Sequence, residues 1–269
     1  MTKIAGSRIL MTGAASGFGR LMSLMMAAKG GRMVLWDIDQ SGLDGIVAEI
    51  EAAGGEAHGM VCDLRDRLAI ERLADEVLES GPVDVLVNNA GIVSGRSLLE
   101  LEPEQIEATF DVNALALFWT TRCFLPAMLK QDSGHVVTIA SAAGLNGTAQ
   151  LVDYSASKFA AVGFDESLRA ELRQMKSRVR TTVVCPFVAD TGMFEGVRRH
   201  FFLLPVLKQN KVAAKTVRAI ERNRRRLLMP RFVYASYPCR MLPVGLNDWI
   251  GDVLGVNRTM QGFIGRRED

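Results

Sequence analysis

Short apolar runs that alternate with longer amphipathic segments are the feature that most limits what this 269-residue chain can fold into. The short runs are apolar on both faces or nearly so, which is typical of parallel strands covered by helices on each side. The predicted strands are Arg8–Met11, Arg32–Trp36, Ala57–Val61, Val83–Val87, His135–Ile139 and Thr181–Cys185, with Leu227–Met229 as a candidate seventh.

Helical patterns fill the intervals between these strands. The predicted helices are Phe18–Lys29, Ser41–Ala53, Asp66–Glu79, Pro103–Lys130, Asp153–Met175 and Lys211–Arg222. This alternation predicts an α/β fold with a single Rossmann-type doubly wound parallel sheet and helices on both faces. No Pro/Gly/Ser-rich linker interrupts the pattern, so residues 1–269 are predicted to form one domain, with a C-terminal extension at about 234–269.

Charged residues are unevenly distributed along the chain. Lys and Arg outnumber Asp and Glu by 15 to 5 from Gly196 onward, whereas acidic residues lead by 25 to 17 up to Glu195. Such an asymmetry usually marks a solvated face, and it also suits an acidic substrate, a membrane surface or a neighbouring subunit. Nucleic acid is disfavoured as a partner because the basic part contains no recognisable nucleic-acid-binding module.

Cysteine spacing and hydropathy narrow the setting further. Cys62, Cys123, Cys185 and Cys239 form no C-x-x-C pair and no metal-ligand spacing with histidine, which indicates reduced thiols and no metal site. The first residues contain no apolar signal region, and no run of about 20 residues is apolar and uncharged. We therefore expect a cytoplasmic protein without a transmembrane segment.

A glycine-rich loop directly follows the first predicted strand and opens the first predicted helix. Glycine lets the backbone turn sharply and approach a pyrophosphate, while the helix terminus offers unpaired N–H groups and partial positive charge. An isolated glycine cluster would indicate only a turn, but this strand–loop–helix context predicts dinucleotide binding. The predicted cofactor-binding residues of the loop are Gly13, Ser16, Gly17, Phe18 and Gly19.

Two acidic residues follow neighbouring strands, where the adenosine half of a dinucleotide would lie. Asp37 can accept hydrogen bonds from the ribose hydroxyls and would repel a 2′-phosphate. Ile38 offers no basic group to offset that repulsion and the direction of Arg20 is open, so NAD is predicted over NADP. Asp63, with Leu64 beside it, is predicted to contact the adenine. The alternatives are a strand-end turn for Asp37 and a helix cap for Asp63.

Tyr154 and Lys158 stand four residues apart in a predicted helix and therefore share one face. An ammonium at about 4 Å, with an effective dielectric near 20, favours a phenolate by roughly 4 kcal/mol, or about 3 pH units. We therefore predict a lowered pKa for Tyr154, which would make it a general acid/base near neutral pH. Ser141 closes the fifth strand, where ligands of open α/β sheets bind, and its hydroxyl can hold the substrate oxygen.

Asn113 lies on the long predicted helix before that strand. It could anchor a water molecule that relays protons to Lys158, or it could be a helix residue whose polar groups are satisfied locally. The sequence leaves both interpretations open.

These motifs together resemble the short-chain dehydrogenase/reductase family. The glycine-rich loop, the run Asn88-Asn89-Ala90-Gly91 after the fourth strand, and the reactive residues match its order and spacing over about residues 6–191. The resemblance implies a dimer or tetramer built on the two long predicted helices, and cofactor contacts by Lys158, Asn89, Ala90 and Gly91. The catalytic tetrad that it implies is Asn113, Ser141, Tyr154 and Lys158.

One position departs from the family pattern near the predicted nicotinamide site. The family usually has Pro-Gly, three further residues and Thr, whereas here Pro186 is followed by Phe187 and, four residues later, by Thr191. The resemblance implies cofactor contacts by Pro186, Val188 and Thr191, with Thr191 at the carboxamide. Phe187 replaces the glycine and is predicted to narrow the pocket or make it more apolar.

The segment after Cys185 is similar to the branch of the family that contains retinol and hydroxysteroid dehydrogenases, which implies a lipophilic alcohol. A substrate lid is predicted at about residues 192–211, because Met and aromatic side chains suit an apolar cover, although ordinary core or interface packing is the alternative. The predicted substrate contacts are Ser141, Ala143, Leu145, Tyr154, Phe187, Met193 and Phe194, with Phe201, Phe202, Leu203 and Leu204 further along the lid.

The function predicted from these observations is NAD-dependent hydride transfer between nicotinamide and a secondary or lipophilic primary alcohol, or the matching carbonyl compound. A non-catalytic dinucleotide-binding regulator or scaffold is the alternative, since folds of this kind also host binding-only proteins. A weaker possibility concerns location alone: the basic, apolar segment after Phe201 could lie on a membrane surface.

Overall fold

Parallel strands form one sheet with the order β3-β2-β1-β4-β5-β6-β7. The computed structural model describes residues 1–194, 206–256, 260 and 263. The strands are β1 (Arg8–Thr12), β2 (Arg32–Asp37), β3 (Glu56–Val61), β4 (Val85–Asn88), β5 (His135–Ile139), β6 (Arg180–Pro186) and β7 (Arg226–Met229). Both the predicted fold class and the candidate seventh strand are therefore confirmed.

The α-helices connect successive strands and continue beyond the last one. Within the described residues they are α1 (Gly17–Ala27), α2 (Gln40–Ala52), α3 (Arg67–Glu79), α4 (Pro103–Phe110), α5 (Ala116–Gln131), α6 (Val152–Gln174), α7 (Gln209–Glu221), α8 (Ser236–Cys239) and α9 (Val244–Val253). Because α7 begins at Gln209, the last residues of the predicted lid belong to a helix.

Each face of the sheet has its own apolar core. Alternate residues of a strand point to opposite faces, so Ile9 and Met11 pack with α1, α2 and α7, whereas Leu10 packs with α3, α5 and α6. Each fully buried side chain of this kind contributes about 1.5–3 kcal/mol. The edge strand β3 departs from the predicted two-sided burial, because no strand covers its outer side and Glu56, His58 and Val61 are exposed.

The long helix predicted before β5 is not one regular α-helix. A π-helical turn at Asp111–Leu115 separates α4 from α5. Such turns insert one extra residue into the helical repeat and are frequent at functional sites. By length and composition alone, the run Pro103–Gln131 could cross a membrane. Here its inner face is fully buried at Phe124 and Met128, in the core that also contains residues of the sheet.

The strand order places a crevice at the carboxyl ends of β1 and β4. The chain proceeds from β1 towards β2 and β3 on one side, and β4 opens the other half of the sheet. The loops that leave β1 and β4 therefore diverge, and ligands of open α/β sheets bind at such a point.

A short parallel bridge ties the chain together on both sides of the predicted lid. Ala189 pairs with Leu207, and the Asp190 carboxylate accepts a hydrogen bond from the Gln209 amide at 2.6 Å. Lid residues Phe201, Phe202, Leu203 and Leu204 lie outside the described residues. The bridge brings the ends of that segment to the carboxyl edge of β6.

Candidate functional site

A cavity of about 560 Å³ opens at the carboxyl edge of the sheet. The loops after β1, β4, β5 and β6, the start of α6 and the C-terminal helices form its walls. Most predicted site residues line it: Gly13, Ser16, Gly17, Phe18, Asp37, Asp63, Leu64, Asn89, Ala90, Gly91, Ser141, Ala143, Tyr154, Lys158, Pro186, Phe187, Val188, Thr191, Met193 and Phe194.

The loops after β1 and β4 hold each other in place. The Thr12 hydroxyl accepts hydrogen bonds from the backbone amides of Asn89 and Ala90 at 3.0 and 3.1 Å. The Asn89 side-chain amide donates in return to the carbonyls of Thr12 and Gly13, at 2.9 and 3.0 Å. Thr12 and the amide of Asn89 therefore fix the glycine-rich loop, a bracing role that the sequence analysis missed.

Two glycines of this loop are required by contacts within the protein. A Cβ on Gly13 would lie 2.8 Å from the Ala90 Cα, and one on Gly19 would lie 1.9 Å from the Gly13 carbonyl oxygen. Gly19 is buried under the loop and does not line the cavity, so its predicted contact with the cofactor stays a prediction.

The loop fits the phosphates of a dinucleotide. The first turn of α1 contains no acidic residue that would repel a phosphate. Gly17 has φ +52°, and the turn of α1 that it opens faces the cavity. A helix terminus of this kind offers backbone N–H donors and partial positive charge to an anion.

At the far end of the cavity, the Asp37 carboxylate helps to fix the backbone around it. Its carboxylate accepts hydrogen bonds from the amides of Ala15 and Asp39, at 2.8 and 3.1 Å. Asp63 forms a bidentate pair with Arg65, whose closest contact is 2.6 Å, and this pairing lowers the pKa of the Asp63 carboxyl group. The alternative role of Asp63 as a helix cap is excluded.

The cap of α3 is Asp66, whose carboxylate accepts from the first-turn amides of Leu68 and Ala69 at 2.9 and 3.1 Å. The direction of Arg20, which the sequence left open, is also settled. Its guanidinium pairs with Glu49 of α2.

Ser141, Tyr154 and Lys158 converge on the opposite part of the cavity. Ser141 follows β5, and its hydroxyl accepts a hydrogen bond from the Ala143 amide at 3.1 Å. Tyr154 and Lys158 share one face of α6, and the Lys158 Nζ lies 5.7 Å from the centre of the Tyr154 ring. The same ammonium donates to the Ile139 carbonyl at 3.1 Å. Both side chains are only 4% exposed.

Burial reverses the predicted direction of the Tyr154 pKa. Loss of water raises the pKa of Tyr154 to about 12, although a hydrogen bond with the Ser141 side chain acts in the opposite sense. Burial also lowers the pKa of Lys158 to about 8. The predicted lowering is therefore wrong for the protein by itself, because the cost of burying a phenolate exceeds the help of the Ser141 hydrogen bond.

Asn113 lies in the π-helical turn, and the loop after β4 and helix α6 supply its hydrogen-bond partners. Its Oδ1 accepts from the Ile92 amide at 2.8 Å, and its Nδ2 donates to the Ile92 carbonyl and to the Ser157 Oγ, at 2.9 and 3.1 Å. Asn113 is 1% exposed and does not line the cavity. Because these partners lie in other segments, the structure does not show the local satisfaction that the second interpretation assumed, and the water relay stays a prediction.

The position where Phe187 replaces glycine lies between the sheet and the C-terminal helices. Its amide donates to the Met229 carbonyl at 2.7 Å, and its ring packs edge-to-face on Phe232 with 6.4 Å between the ring centres. Thr191 reaches back to the glycine-rich loop, where a Cβ on Gly17 would be 3.7 Å from the Thr191 Cβ. The predicted apolar wall at Phe187 is thus present.

One predicted substrate contact does not line the cavity and stays a prediction. Leu145 is 4% exposed and packs with Ala161, Val183 and Cys185, so it faces the core below the cavity. It follows the short turn after Ser141, and the chain direction there could not be read from the sequence.

The sequence analysis also missed the C-terminal wall of the cavity. One face of α9 lines the cavity, and Met260 lies beyond that helix against Tyr154 and Leu151. The local signal was weak, because α9 carries apolar residues on both faces. Further lining residues that were missed are Ile92, Asn146, Thr148, Leu151, Val233, Ser236, Cys239, Ile250 and Leu254. Among the described residues, no cluster of His, Cys, Asp or Glu is arranged to hold a metal ion.

This fold and this site define a class of protein. The family model for short chain dehydrogenase matches residues 7–200, which is most of the chain. The chain therefore belongs to the short-chain dehydrogenase family of oxidoreductases.

Its relatives include retinol dehydrogenases. Human epidermal retinol dehydrogenase 2 is 42% identical over 98% of this chain and 87% of the relative. Human retinol dehydrogenase 10 is 39% identical over the same shares of the two chains. The resemblance to the retinol dehydrogenase branch is thus confirmed.

Solved structures show the same fold with nicotinamide dinucleotides bound. A short-chain dehydrogenase/reductase from Burkholderia phymatum, in complex with NAD, aligns with a TM-score of 0.81 and 30% identity over 90% of this chain and 95% of that chain. A metagenomic short-chain oxidoreductase in complex with NADP aligns with a TM-score of 0.69 and 32% identity, over 81% of this chain and 91% of that chain.

Proposed function

We propose that this protein oxidises a lipophilic alcohol with NAD. The same site would catalyse the reverse reduction when the carbonyl compound and the reduced cofactor are supplied. The observation that carries the proposal is the meeting of Ser141, Tyr154 and Lys158 in the cavity that the glycine-rich loop also lines. Bound NAD supplies a hydride acceptor at the nicotinamide. The chain's own residues must then bind the alcohol oxygen and move its proton.

Tyr154 is the group that moves this proton. With a pKa raised to about 12, its Oη keeps its proton at neutral pH and can donate it to a carbonyl oxygen during reduction. During oxidation the Oη must first release that proton to solvent, and the resulting phenolate then takes the hydroxyl proton. The Ser141 hydroxyl orients the substrate oxygen, and the Lys158 ammonium stabilises negative charge on Tyr154.

We assign Asn113 a positioning role. It fixes both backbone polar groups of Ile92, and it lies close to the point where the loop after β4 meets Lys158. A Cβ on Gly91 would be 3.1 Å from the Asn113 Oδ1 and 3.2 Å from the Lys158 Nζ. Asn113 and Lys158 therefore both lie against the loop at Gly91.

The preference for NAD rests on charges at the adenosine end. Asp37 keeps a carboxylate in the cavity wall, where a 2′-phosphate would be repelled. Arg20, considered for this end from the sequence, pairs with Glu49, and Arg65, which lines the cavity, pairs with Asp63. Both guanidinium groups are therefore already paired, and neither offsets the repulsion between Asp37 and a 2′-phosphate.

The lipophilic character of the substrate rests on the cavity walls and on the relatives. Phe187, Met193, Phe194, Ile250 and Leu254 line the substrate side. Mostly apolar walls with a few polar groups are typical of sites for small lipophilic ligands. The similarity to retinol dehydrogenases supports a lipophilic primary alcohol, and retinol itself is the first compound to test.

The test follows reduced cofactor by absorbance, with retinol and a short alcohol as substrates and NAD or NADP as oxidant. We expect kcat/KM with NAD to exceed that with NADP by at least about a hundredfold, or roughly 3 kcal/mol. Asp37→Ala should reduce this ratio by about tenfold. Equal use of the two cofactors would refute the assignment of Asp37.

A regulator or scaffold without turnover is the competing function. NAD binding in calorimetry without product from any alcohol would favour that function. The convergence of three reactive side chains in the cavity supports an enzyme instead, because binding alone does not require them.

For location, we retain a cytoplasmic protein as a proposal, with peripheral membrane contact as its variant. The exposed apolar side chains of Met241, Val244, Trp249 and Val253 on or beside α9 support such contact. Co-sedimentation with anionic liposomes at low and high salt distinguishes these two possibilities.

For assembly, we retain a homo-dimer or homo-tetramer formed through α4, α5 and α6. The apolar side chains of Leu115, Phe118 and Val152 are 41–46% exposed there. Light scattering of wild type and Phe118→Asp tests this interface, and a monomeric wild type would rule it out.

A further inference from the structure

Two aromatic rings extend from Tyr154 to the C-terminal segment. The Phe194 ring packs edge-to-face on Tyr154 at 5.9 Å between ring centres, and Phe263 packs on Phe194 at 6.5 Å. Met260 is 2% exposed and belongs to the same apolar cluster. The C-terminal segment, which lies beyond residue 200 where the family match ends, therefore reaches the reactive tyrosine.

Phe263 lies directly on the backbone of a glycine in the loop after β4. A Cβ on Gly95 would be 2.1 Å from the Phe263 Cε1 and 2.2 Å from its Cδ1. Gly95 also has φ +66°, a conformation that side-chain-bearing residues rarely adopt. Both the backbone angle and the overlying ring thus require glycine at this position.

A buried carboxylate fixes the loop that carries Gly95. Asp153 accepts hydrogen bonds from the Ser94 Oγ at 2.6 Å and from the Thr109 Oγ1 at 2.9 Å. Asp153 is 3% exposed and immediately precedes Tyr154 in α6. Asp153 therefore fixes the loop on which the Phe263 ring packs, and the next residue of α6, Tyr154, carries the reactive phenol.

We propose that Phe263, seated on Gly95, determines substrate specificity from behind Phe194, which forms the wall of the substrate site. This inference rests on the proposed function and extends it. Because Phe194 covers one side of the Tyr154 ring and Phe263 supports Phe194, the room beside the reacting carbon is limited on that side. The wall admits an unbranched lipophilic chain on the carbinol carbon and disfavours a second bulky substituent.

The test compares four variants of the full chain: Phe263→Ala, Gly95→Ala, the double variant, and Gly54→Ala as control. Gly54 has a similar φ of +79°, but a Cβ there would meet nothing within 4 Å. It therefore carries the same backbone strain without an overlying ring. Kinetics are measured with a long primary alcohol and with a secondary alcohol of similar size.

Phe263→Ala and Gly95→Ala should each raise KM for the long primary alcohol by about fivefold to tenfold, the scale of one lost aromatic contact. Each should also raise the relative kcat/KM for the secondary alcohol, with kcat changed less than about threefold. The double variant should match either single variant, because both changes remove the same contact. Gly54→Ala should keep the wild-type preference.

Hydrogen–deuterium exchange gives a readout that does not depend on turnover. Gly95→Ala should speed exchange at Met260 and Phe263 and Gly54→Ala should not, while NAD with the long alcohol should slow exchange at these two residues in wild type. If wild type oxidises no alcohol, the proposed function fails, and exchange alone still decides whether Phe263 is seated on Gly95 and whether ligand binding stabilises it. Unchanged exchange in Gly95→Ala, or an unchanged substrate preference in Phe263→Ala, would overturn the inference.

Discussion

The two ends of strand β5 both contain buried polar groups, and they serve different purposes. His135 begins the strand at the amino edge of the sheet, and Ser141 follows it at the carboxyl edge. The His135 ring is fully buried between the hydroxyls of Thr2 and Thr182, at 2.9 and 2.8 Å from its two nitrogens. At the other end, Tyr154 and Lys158 are nearly as buried, but they border a cavity.

The His135 cluster is closed by the protein itself. Thr2 contacts Asn223, and the Thr182 hydroxyl donates to the Arg224 carbonyl, so each neighbour of the ring has a further partner. Burial lowers the pKa of His135 to about 4. The comparison teaches that burial and a shifted pKa do not by themselves mark a functional site. The additional requirement is an open side where a ligand can complete the polar contacts.

The largest expected effect separates the two ends by activity. Tyr154→Phe should lower kcat/KM by about a thousandfold, because it removes only the hydroxyl that moves the proton. His135→Gln should leave kcat/KM within about twofold of wild type. Steady-state kinetics check both, and thermal unfolding verifies that each variant is folded. A Tyr154→Phe enzyme with near-wild-type turnover would remove the chemical distinction between the ends.

The second prediction concerns pH at the carboxyl end. Burial lowers the pKa of Lys158 to about 8, so its charge is lost as pH rises through that value, while Tyr154 keeps its proton up to about pH 12. For carbonyl reduction, kcat/KM should therefore fall by about tenfold per pH unit above 8. In Lys158→Arg, whose guanidinium stays charged, the residual activity should be flat from pH 7 to 10. A flat wild-type profile would contradict this role for Lys158.

The third prediction concerns pH at the amino end. The pKa of His135 is about 4 in the fold and near 6.5 in the unfolded chain, so the unfolded state binds the proton more readily. Stability is then full above pH 6.5 and declines as pH falls towards 4, by about 2 kcal/mol at pH 5. Urea unfolding of wild type and His135→Gln at pH 7 and 5 checks this. The variant should lose much less, and equal losses would exclude His135 as the cause.

The smallest expected effect tests whether the amino-end cluster is closed. Thr2→Val removes one hydrogen-bond partner from the His135 Nδ1 and one from the Asn223 Oδ1. The free energy of unfolding at pH 7 should fall by about 1 kcal/mol. Thr2→Ser keeps the hydroxyl and should stay within about 0.3 kcal/mol of wild type. The midpoints of urea unfolding are compared for the two variants, provided that the dependence of unfolding free energy on urea is the same. Equal midpoints for the two variants would show that the hydroxyl contributes nothing.

Much of the fold could be predicted because its signals are local. Each strand is a short apolar run, the glycine-rich loop directly joins β1 to α1, and Tyr154 and Lys158 share a face by helical spacing alone. The exceptions show the limit of such signals. The π-helical turn at Asn113 depends on how α4 and α5 pack, and the solvent exposure of β3 depends on its place at the sheet edge.

The sequence by itself determined the parallel α/β architecture and the identity of the reactive side chains, because spacing within one element sets those features. Only the tertiary structure decided which way the pKa of Tyr154 shifts and which residues complete the cavity. Burial depends on everything that packs around a group, so its electrostatic cost cannot be read from neighbours in sequence. Likewise, the contact of Phe263 with Gly95 joins residues far apart in the chain, and no local pattern specifies such a meeting.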